Sequence, residues 1–349
     1  MRFAQKQILL RDGSPGIRGT LRDLDVAEYA EAVEDSWDAS FVQLTGGRLD
    51  ARLDYLAGDR FVLYRESWSE RLHTVGGPRP GVIAFGIPEA RDTPGRWWGR
   101  PLPAGRVPFG RSDCELDLVS EPEEAVLVLA MDEDDFRALF SSLAGLDPSE
   151  FPTAGNLLAA SPAAVERLRS SWKDILAGST NGRACPASIA DVVAPLSDAV
   201  ELSRRIERSH AKKRSLVDAV MEVAEAGDFL ASVPDLSARL RVSRRTIEYA
   251  FRECLGESPR AYFAKRRLSC CYRALSNAAP AETTVTSVAL QHGFSELGRF
   301  ASTYRHHFGE LPSATLRRSR TSIPVRLGFG NGTAIPRKPR SSATAYRSR

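Results

Sequence analysis

The sequence predicts an α+β protein: an N-terminal antiparallel β-barrel with accessory helices, followed by an all-α domain with two helix-turn-helix motifs. Three observations predict it. Up to residue 131, short runs of alternating apolar residues recur between turn signals. From residue 132 the apolar period becomes helical. One pattern of apolar, small and serine positions then occurs twice, over 236–251 and 288–308.

The β-like runs are 41–44, 49–55, 61–64, 82–85, 107–109, 115–119 and 125–131. Turn signals separate them, among them Thr45-Gly46-Gly47, Gly76-Gly77-Pro78 and Asp92-Thr93-Pro94-Gly95. Leu49, Ala51, Leu53 and Tyr55 alternate with polar neighbours, which argues for a closed or sandwiched antiparallel sheet rather than a parallel one. Residues 1–131 are therefore read as a β-rich domain.

A helical region follows over 132–209. Asp132 to Ala144 opens on an acidic turn, Ser161-Pro162 is a cap followed by an N1 proline for a helix to Ala177, and Ile189 to Ser209 reads as a helix interrupted at Pro195. These helices either pack a dimer and transmit a signal or cover one end of the barrel. Residues 210–320 are helical throughout. Residues 321–349 are rich in Gly, Pro, Ser and Arg, hold no acid and show no apolar period, so a disordered basic tail is expected.

Charge divides the chain. The 349 residues carry a net +4, yet residues 200–349 hold 27 Lys and Arg against 13 Asp and Glu, a net +14, which leaves −10 for residues 1–199. A basic half can neutralise phosphates and release their counterions, or it can be a solvated face; an acidic half is repelled from nucleic acid. No apolar run reaches the roughly 18 residues that span a bilayer, and the N-terminus lacks the apolar core of a signal peptide, so a cytoplasmic chain is expected. Cys114, Cys185, Cys254, Cys270 and Cys271 form no CxxC pair, and reduced packing cysteines are the default.

In the first repeat, Val242-Ser243 opens a helix. Ile247, Ala250 and Phe251 share one face, while Arg245, Glu248, Tyr249 and Arg252 share the other, with Arg244 near the N-terminal end. Arginine can donate two bonds to guanine O6 and N7, and a carboxylate can accept from cytosine N4, so Ser243, Arg244, Arg245, Glu248, Tyr249 and Arg252 are candidate DNA-contacting residues. The second repeat opens at Phe294-Ser295, with serine as the expected cap. Leu297, Phe300, Ala301, Tyr304 and Phe308 recur as a buried stripe, while Ser295, Gly298, Arg299, Ser302 and His306 face outward and Glu296 and Thr303 lie at the margins. This face is less basic and suits phosphate positioning more than base readout. Between the repeats, Ser258-Pro259 starts a long helix that holds the two apart.

Together these residues resemble the C-terminal domain of AraC/XylS transcription regulators. The matches are Val242-Ser243-Arg244-Arg245-Thr246-Ile247, Ser258-Pro259-Tyr262 with Arg266-Arg267-Leu268, Val288-Ala289 with Gly293-Phe294, and Phe300, Tyr304, Phe308-Gly309 and Leu311-Pro312-Ser313. The resemblance implies seven helices, with Arg245, Glu248 and Tyr249 of the first motif and Leu297, Gly298 and Ser302 of the second at base-facing positions. It implies double-stranded promoter DNA as partner, RNA polymerase as a further candidate partner, and a homodimer. Two positions depart from the pattern. Arg241 stands where the family often has glycine, which demands a left-handed residue or a reshaped turn. Leu297 and Gly298 offer no side-chain hydrogen bonds to a base.

The N-terminal half resembles a cupin-like sensor barrel through strand spacing and through Asp38 to Leu44 followed by Gly46-Gly47. Its one histidine, His73, cannot make the His-rich metal centre of enzymatic cupins, so neither a metal nor another cofactor is expected. Trp68, Trp97, Trp98 and Phe85 are either ordinary core or the lining of an effector pocket. The leading expectation is a transcription regulator controlled by a small molecule. The alternatives are a regulator whose N-terminal half only dimerises or binds a protein, and an alkyl-transfer enzyme with a reactive cysteine, which the acidic neighbours Asp113 and Glu115 of Cys114 disfavour.

Overall fold

The computed structural model describes residues 2–9, 15–89, 95–112, 116–145, 157–180, 183–184, 188–201, 212–227, 229–278, 283–318 and 327. Strands come first: β1 (Arg2–Leu9), β2 (Pro15–Leu24), β3 (Trp37–Gln43), β4 (Ala51–Gly58), β5 (Phe61–Trp68), β6 (Leu72–Pro78), β7 (Val82–Pro88), β8 (Arg96–Trp97), β9 (Arg100–Pro101), β10 (Arg106–Gly110), β11 (Leu116–Val119), β12 (Ala125–Asp132) and β13 (Leu157–Ala160). The two-residue strands β14 (Ser179–Thr180), β15 (Arg183–Ala184) and β16 (Val200–Glu201) follow. The helices are α1 (Val26–Val33), α2 (Glu133–Ala144), α3 (Pro162–Ala177), α4 (Ile189–Ala199), α5 (Lys212–Glu225), α6 (Val233–Leu240), α7 (Arg244–Leu255), α8 (Pro259–Asn277), α9 (Val285–Gln291), α10 (Leu297–Phe308) and α11 (Pro312–Arg317).

Among the described residues the longer strands pair into two antiparallel sheets. The larger runs β1-β2-β4-β5-β12-β7-β10-β13-β16 and the smaller β3-β6-β11-β8-β9. Side chains from both fill one core: Leu53, Tyr55, Tyr64, Val126 and Val128 meet Leu72, Trp97 and Leu118. Successive strand residues point to opposite faces, so Leu56, Leu63, Leu127 and Leu129 leave the back of the larger sheet and pack under α2, α3 and α4 against Phe136, Phe140, Leu168 and Trp172. That explains the unbroken apolar run of β12, which is buried on both faces. The back of the smaller sheet, through Val42 and Val119, packs on Val217, Ile247, Phe251 and Phe263 of the C-terminal helices. The order of layers is helices, sheet, sheet, helices.

Several sequence expectations change. Residues 2–9 and 15–24 pair as a hairpin, and α1 follows with Asp25 as its cap; none of these was expected. Gly76-Gly77-Pro78 is strand, not turn, because it pairs with Ala39, Asp38 and Trp37 of β3. Glycine is required there: Gly76 has φ +146°, and a Cβ would lie 2.2 Å from the Asp38 carbonyl oxygen. Pro195 sits inside α4 rather than breaking it. Trp68, Trp97 and Trp98 belong to the core between the sheets and Phe85 to the core behind the larger sheet, so the four cannot line one pocket. Residues 202–210, Asp92-Thr93-Pro94, Cys114 and Cys185 lie outside the described residues. So does the expected tail except Leu327, which is buried, with its N–H donating to Ala32 at 2.6 Å and its carbonyl accepting from the Ser36 hydroxyl at 2.7 Å. Among the described residues, no helix is long and apolar enough to cross a membrane and no group of three or more His, Cys, Asp or Glu is placed to hold a metal.

Candidate nucleic-acid interface

Helix α7 begins as its sequence dictates. The Ser243 hydroxyl accepts from the Thr246 N–H at 3.1 Å, and Gly256 ends the helix in a left-handed conformation. Ile247, Ala250 and Phe251 are buried. Ser243, Arg244, Arg245 and Arg252 are exposed, Glu248 is half-buried, and Tyr249 is 58% exposed, the largest value among the bulky apolar side chains. No carboxylate lies within ion-pair distance of Arg244, Arg245 or Arg252 among the described residues. Three cations without partners beside an exposed tyrosine make a surface that can take up phosphates or guanine edges.

The turn before α7 adopts the first of the two options left by Arg241. This residue is left-handed, with φ 53° and ψ 38°, and its N–H reaches the Ser237 carbonyl. Ser237 Oγ in turn donates to the Val242 carbonyl at 2.7 Å, fixing the angle between α6 and α7.

Helix α10 differs from expectation at its start. It begins at Leu297 after Glu296, and no side chain caps it, so Ser295 does not play the part that Ser243 plays in α7. Phe300, Tyr304 and Phe308 are buried as expected, but Leu297 is 39% exposed and leaves the stripe, because the helix starts beside it and its first turn, Leu297 to Arg299, is exposed. Ser295, Glu296, Gly298, Arg299, Ser302, Thr303 and His306 are all exposed. Arg299 lies 3.9 Å from Glu296, which leaves this face with less free positive charge than α7.

Between them, α8 starts at Ser258 and Pro259 and runs 19 residues, some 28 Å at 1.5 Å per residue. Its Phe263 packs in the core of α5 to α7, while Leu268, Cys271, Tyr272 and Leu275 pack with α9 and α10. Burial pushes the Cys271 thiol up to about 12, the opposite of an activated nucleophile.

Sequence reading missed the contacts that tie these helices to the sheets. Tyr262 of α8 meets His73 Nδ1 at 2.7 Å, His73 Nε2 lies 3.0 Å from Asp117, and Asp117 pairs with Arg214 of α5; all four are buried. Arg96 donates to the Glu253 carbonyl at 2.6 Å, and Gly99 leaves room for Cys254, whose Sγ would be 2.9 Å from a Cβ there. On the second motif, Gln43 Nε2 donates to the His307 carbonyl at 2.9 Å and His307 Nε2 donates to the Gln43 carbonyl at 3.1 Å. Burial holds the His307 ring down to about 4, so it stays neutral at pH 7. Arg318, just past α11, pairs with Asp25, the cap of α1. Each helix-turn-helix unit is thus fastened to the sheets separately.

Residues 236–318 match a family described as a helix-turn-helix domain. The chain is 41% identical over 85 residues to the XylDLEGF operon transcriptional activator 2 of Pseudomonas putida, spanning 24% of this chain and 54% of that one. It is 34% identical over 95 residues to a probable thc operon regulatory protein of Rhodococcus erythropolis, 27% of each chain. It is 42% identical to the crystal structure of a probable AraC family transcriptional regulator from Rhodopseudomonas palustris, across 30% of this chain and 98% of that one, with a TM-score of 0.28. The match thus spans about half the length of the first of these curated relatives and about a quarter of the second. Through this C-terminal region the chain belongs to the AraC/XylS family of transcription regulators.

Proposed function

We propose that the protein is a sequence-specific DNA-binding transcription regulator and not an enzyme, controlled by a small-molecule effector held in its N-terminal part. The observation that carries the first half is the exposed face of α7, where Arg244, Arg245 and Arg252 stand without carboxylate partners among the described residues, beside exposed Tyr249 and half-buried Glu248. Ser243, Arg245, Glu248 and Tyr249 read bases. Ser295, Glu296, Leu297, Gly298, Arg299, Ser302 and Thr303 of the second motif dock on the backbone and on DNA shape. Residues 1–131 form the sensor, with the two sheets as a cupin-like barrel, residues 132–209 the dimerising and linking region, and residues 210–320 the DNA-binding domain. The protein acts in the cytoplasm as a homodimer on promoter DNA, in reach of RNA polymerase.

The separate fastening of the two motifs supports the control. A ligand that shifts the sheets changes the relation of α7 to α10, and with it the fit to two successive grooves. The test is selection of bound sequences from a random DNA pool by the full chain, followed by a salt titration on the winners. A recovered motif and a steep loss of affinity with salt are expected; no sequence preference, or a flat salt response, refutes the reading.

A further inference from the structure

A cavity of about 470 Å³ lies on the back of the larger sheet, away from both motifs, between β2, β4 and β5 and the last turn of α3. Its volume is that of small-molecule sites. It forms because Arg52 and Asp54 of β4 alternate with Leu53 and Tyr55, which point into the core between the sheets, and because Thr20, Asp54 and Arg65 stand opposite one another on adjacent strands. From α3, Lys173, Leu176 and Ala177 close the other side.

Its charges do not balance. Arg52 and the Thr20 hydroxyl occupy Asp54, at 2.9 and 2.7 Å. Arg65 takes both oxygens of Glu89 at 2.9 Å, and Lys173 takes one of them at 3.0 Å. Two carboxylates therefore serve three cations. Arg18 is left over: its Nη2 donates to the Ile175 carbonyl at 2.9 Å, its Nε is buried without a hydrogen-bond partner, and no carboxylate reaches it among the described residues. Gly178, with φ +83°, makes space for that guanidinium, since a Cβ would lie 2.2 Å from Nη1. A half-buried cation held by one carbonyl has donors to spare and a desolvation cost that an anion offsets.

We propose that this cavity binds a small organic anion, its carboxylate or phosphate head on Arg18 and Lys173 and its apolar body against Leu176 and Ala177. Because Arg18 also holds the C-terminal end of α3, an anion there competes with the Ile175 carbonyl and alters how α3 and α4 sit on the sheet. That second step rests on the sensing role proposed above; the binding does not.

The experiment uses the full chain with hexanoate, hexyl phosphate and hexanol, followed by ligand-observed NMR and calorimetry. At least one anion binds and hexanol does not; whichever head binds more tightly identifies its chemistry. Arg18→Gln weakens binding about tenfold, the scale of a lost charged hydrogen bond. Leu176→Trp, which fills the cavity and keeps every charge, weakens it too, and circular dichroism confirms that both variants fold. Equal binding of hexanol, no binding of either anion, or full binding in both variants overturns the proposal. Anion binding that leaves DNA affinity unchanged supports the site and counts against the sensing role. A neutral compound that alters DNA affinity while neither anion binds overturns the site and leaves the regulator standing.

Discussion

The Tyr262 hydroxyl and His73 Nδ1 are 2.7 Å apart, and through them helix α8 of the DNA-binding region is bonded to strand β6 of the smaller sheet. His73 continues to Asp117, and Asp117 to Arg214 on α5. Burial opposes the charge on Asp117, but His73 and Arg214 outweigh it and hold the carboxyl below its ordinary range. One buried carboxylate therefore links the sheet to the helix that precedes the first motif.

Removing parts of this chain of bonds should cost unequal amounts. Tyr262→Phe leaves His73 Nδ1 buried without its partner and should destabilise by about 1 to 3 kcal/mol. Asp117→Asn strips a buried charge from Arg214 and should cost about 3 to 5 kcal/mol. Urea unfolding of the full chain measures both. A parent-like midpoint for D117N means that Asp218, the other partner of Arg214, suffices alone.

On DNA, Arg245→Ala should weaken specific sites by about 1 to 3 kcal/mol with little change at random sequence. Ser302→Ala on α10 should cost less than Arg245→Ala, since that face offers less free charge. Fluorescence anisotropy on matched and scrambled duplexes separates the outcomes. Equal loss of R245A on both makes Arg245 a phosphate contact.

Glu66 gives a pH dependence. It is buried in the core between the sheets, where Tyr29 donates to it at 2.7 Å, and burial raises its carboxyl to about 8 from an ordinary 4.5. The folded protein therefore holds this proton more tightly than the unfolded chain. The stabilisation is complete below about 4.5 and is lost as pH rises toward 8, a change on the order of a few kcal/mol. Glu66→Gln should remove this contribution, so its melting temperature should fall less than the parent's between pH 5 and about 8. Parallel curves for parent and variant would falsify the assignment.

Arg241 pays a backbone cost for its left-handed conformation, with φ 53°. Arg241→Gly should relieve roughly 1 kcal/mol of it, partly offset by the greater freedom of glycine in the unfolded chain. The expected melting temperature is equal to or above the parent's, while phosphate affinity should not rise. A clear drop in stability means that the arginine side chain supports the turn.

The sequence determined the local elements wherever the signal was local. Ser243, Ser258 with Pro259, and Ser161 with Pro162 marked helix starts that the structure keeps, because a cap satisfies N–H groups within three residues of itself. The buried and exposed faces of α7 followed from helical period alone, the doubled motif from the repeat of its apolar, small and serine positions, and the family from the resemblance that these motif residues carry. Where the outcome depended on distant neighbours, local reading failed: Gly76-Gly77 became strand because it pairs with β3, and Leu297 left the stripe because the first turn of α10 is exposed.

Only the tertiary structure decided how the two parts are joined and where a ligand would fit. His73 and Tyr262 are 189 residues apart, and Gln43 and His307 are 264 apart. Nothing in the sequence pattern singles out Arg18, Arg52, Arg65 or Lys173. Their pairing, and the surplus that Arg18 carries, exist because antiparallel register and the packing of α3 bring them to one face at hydrogen-bond range, where a few ångströms separate a satisfied cation from one that needs an anion.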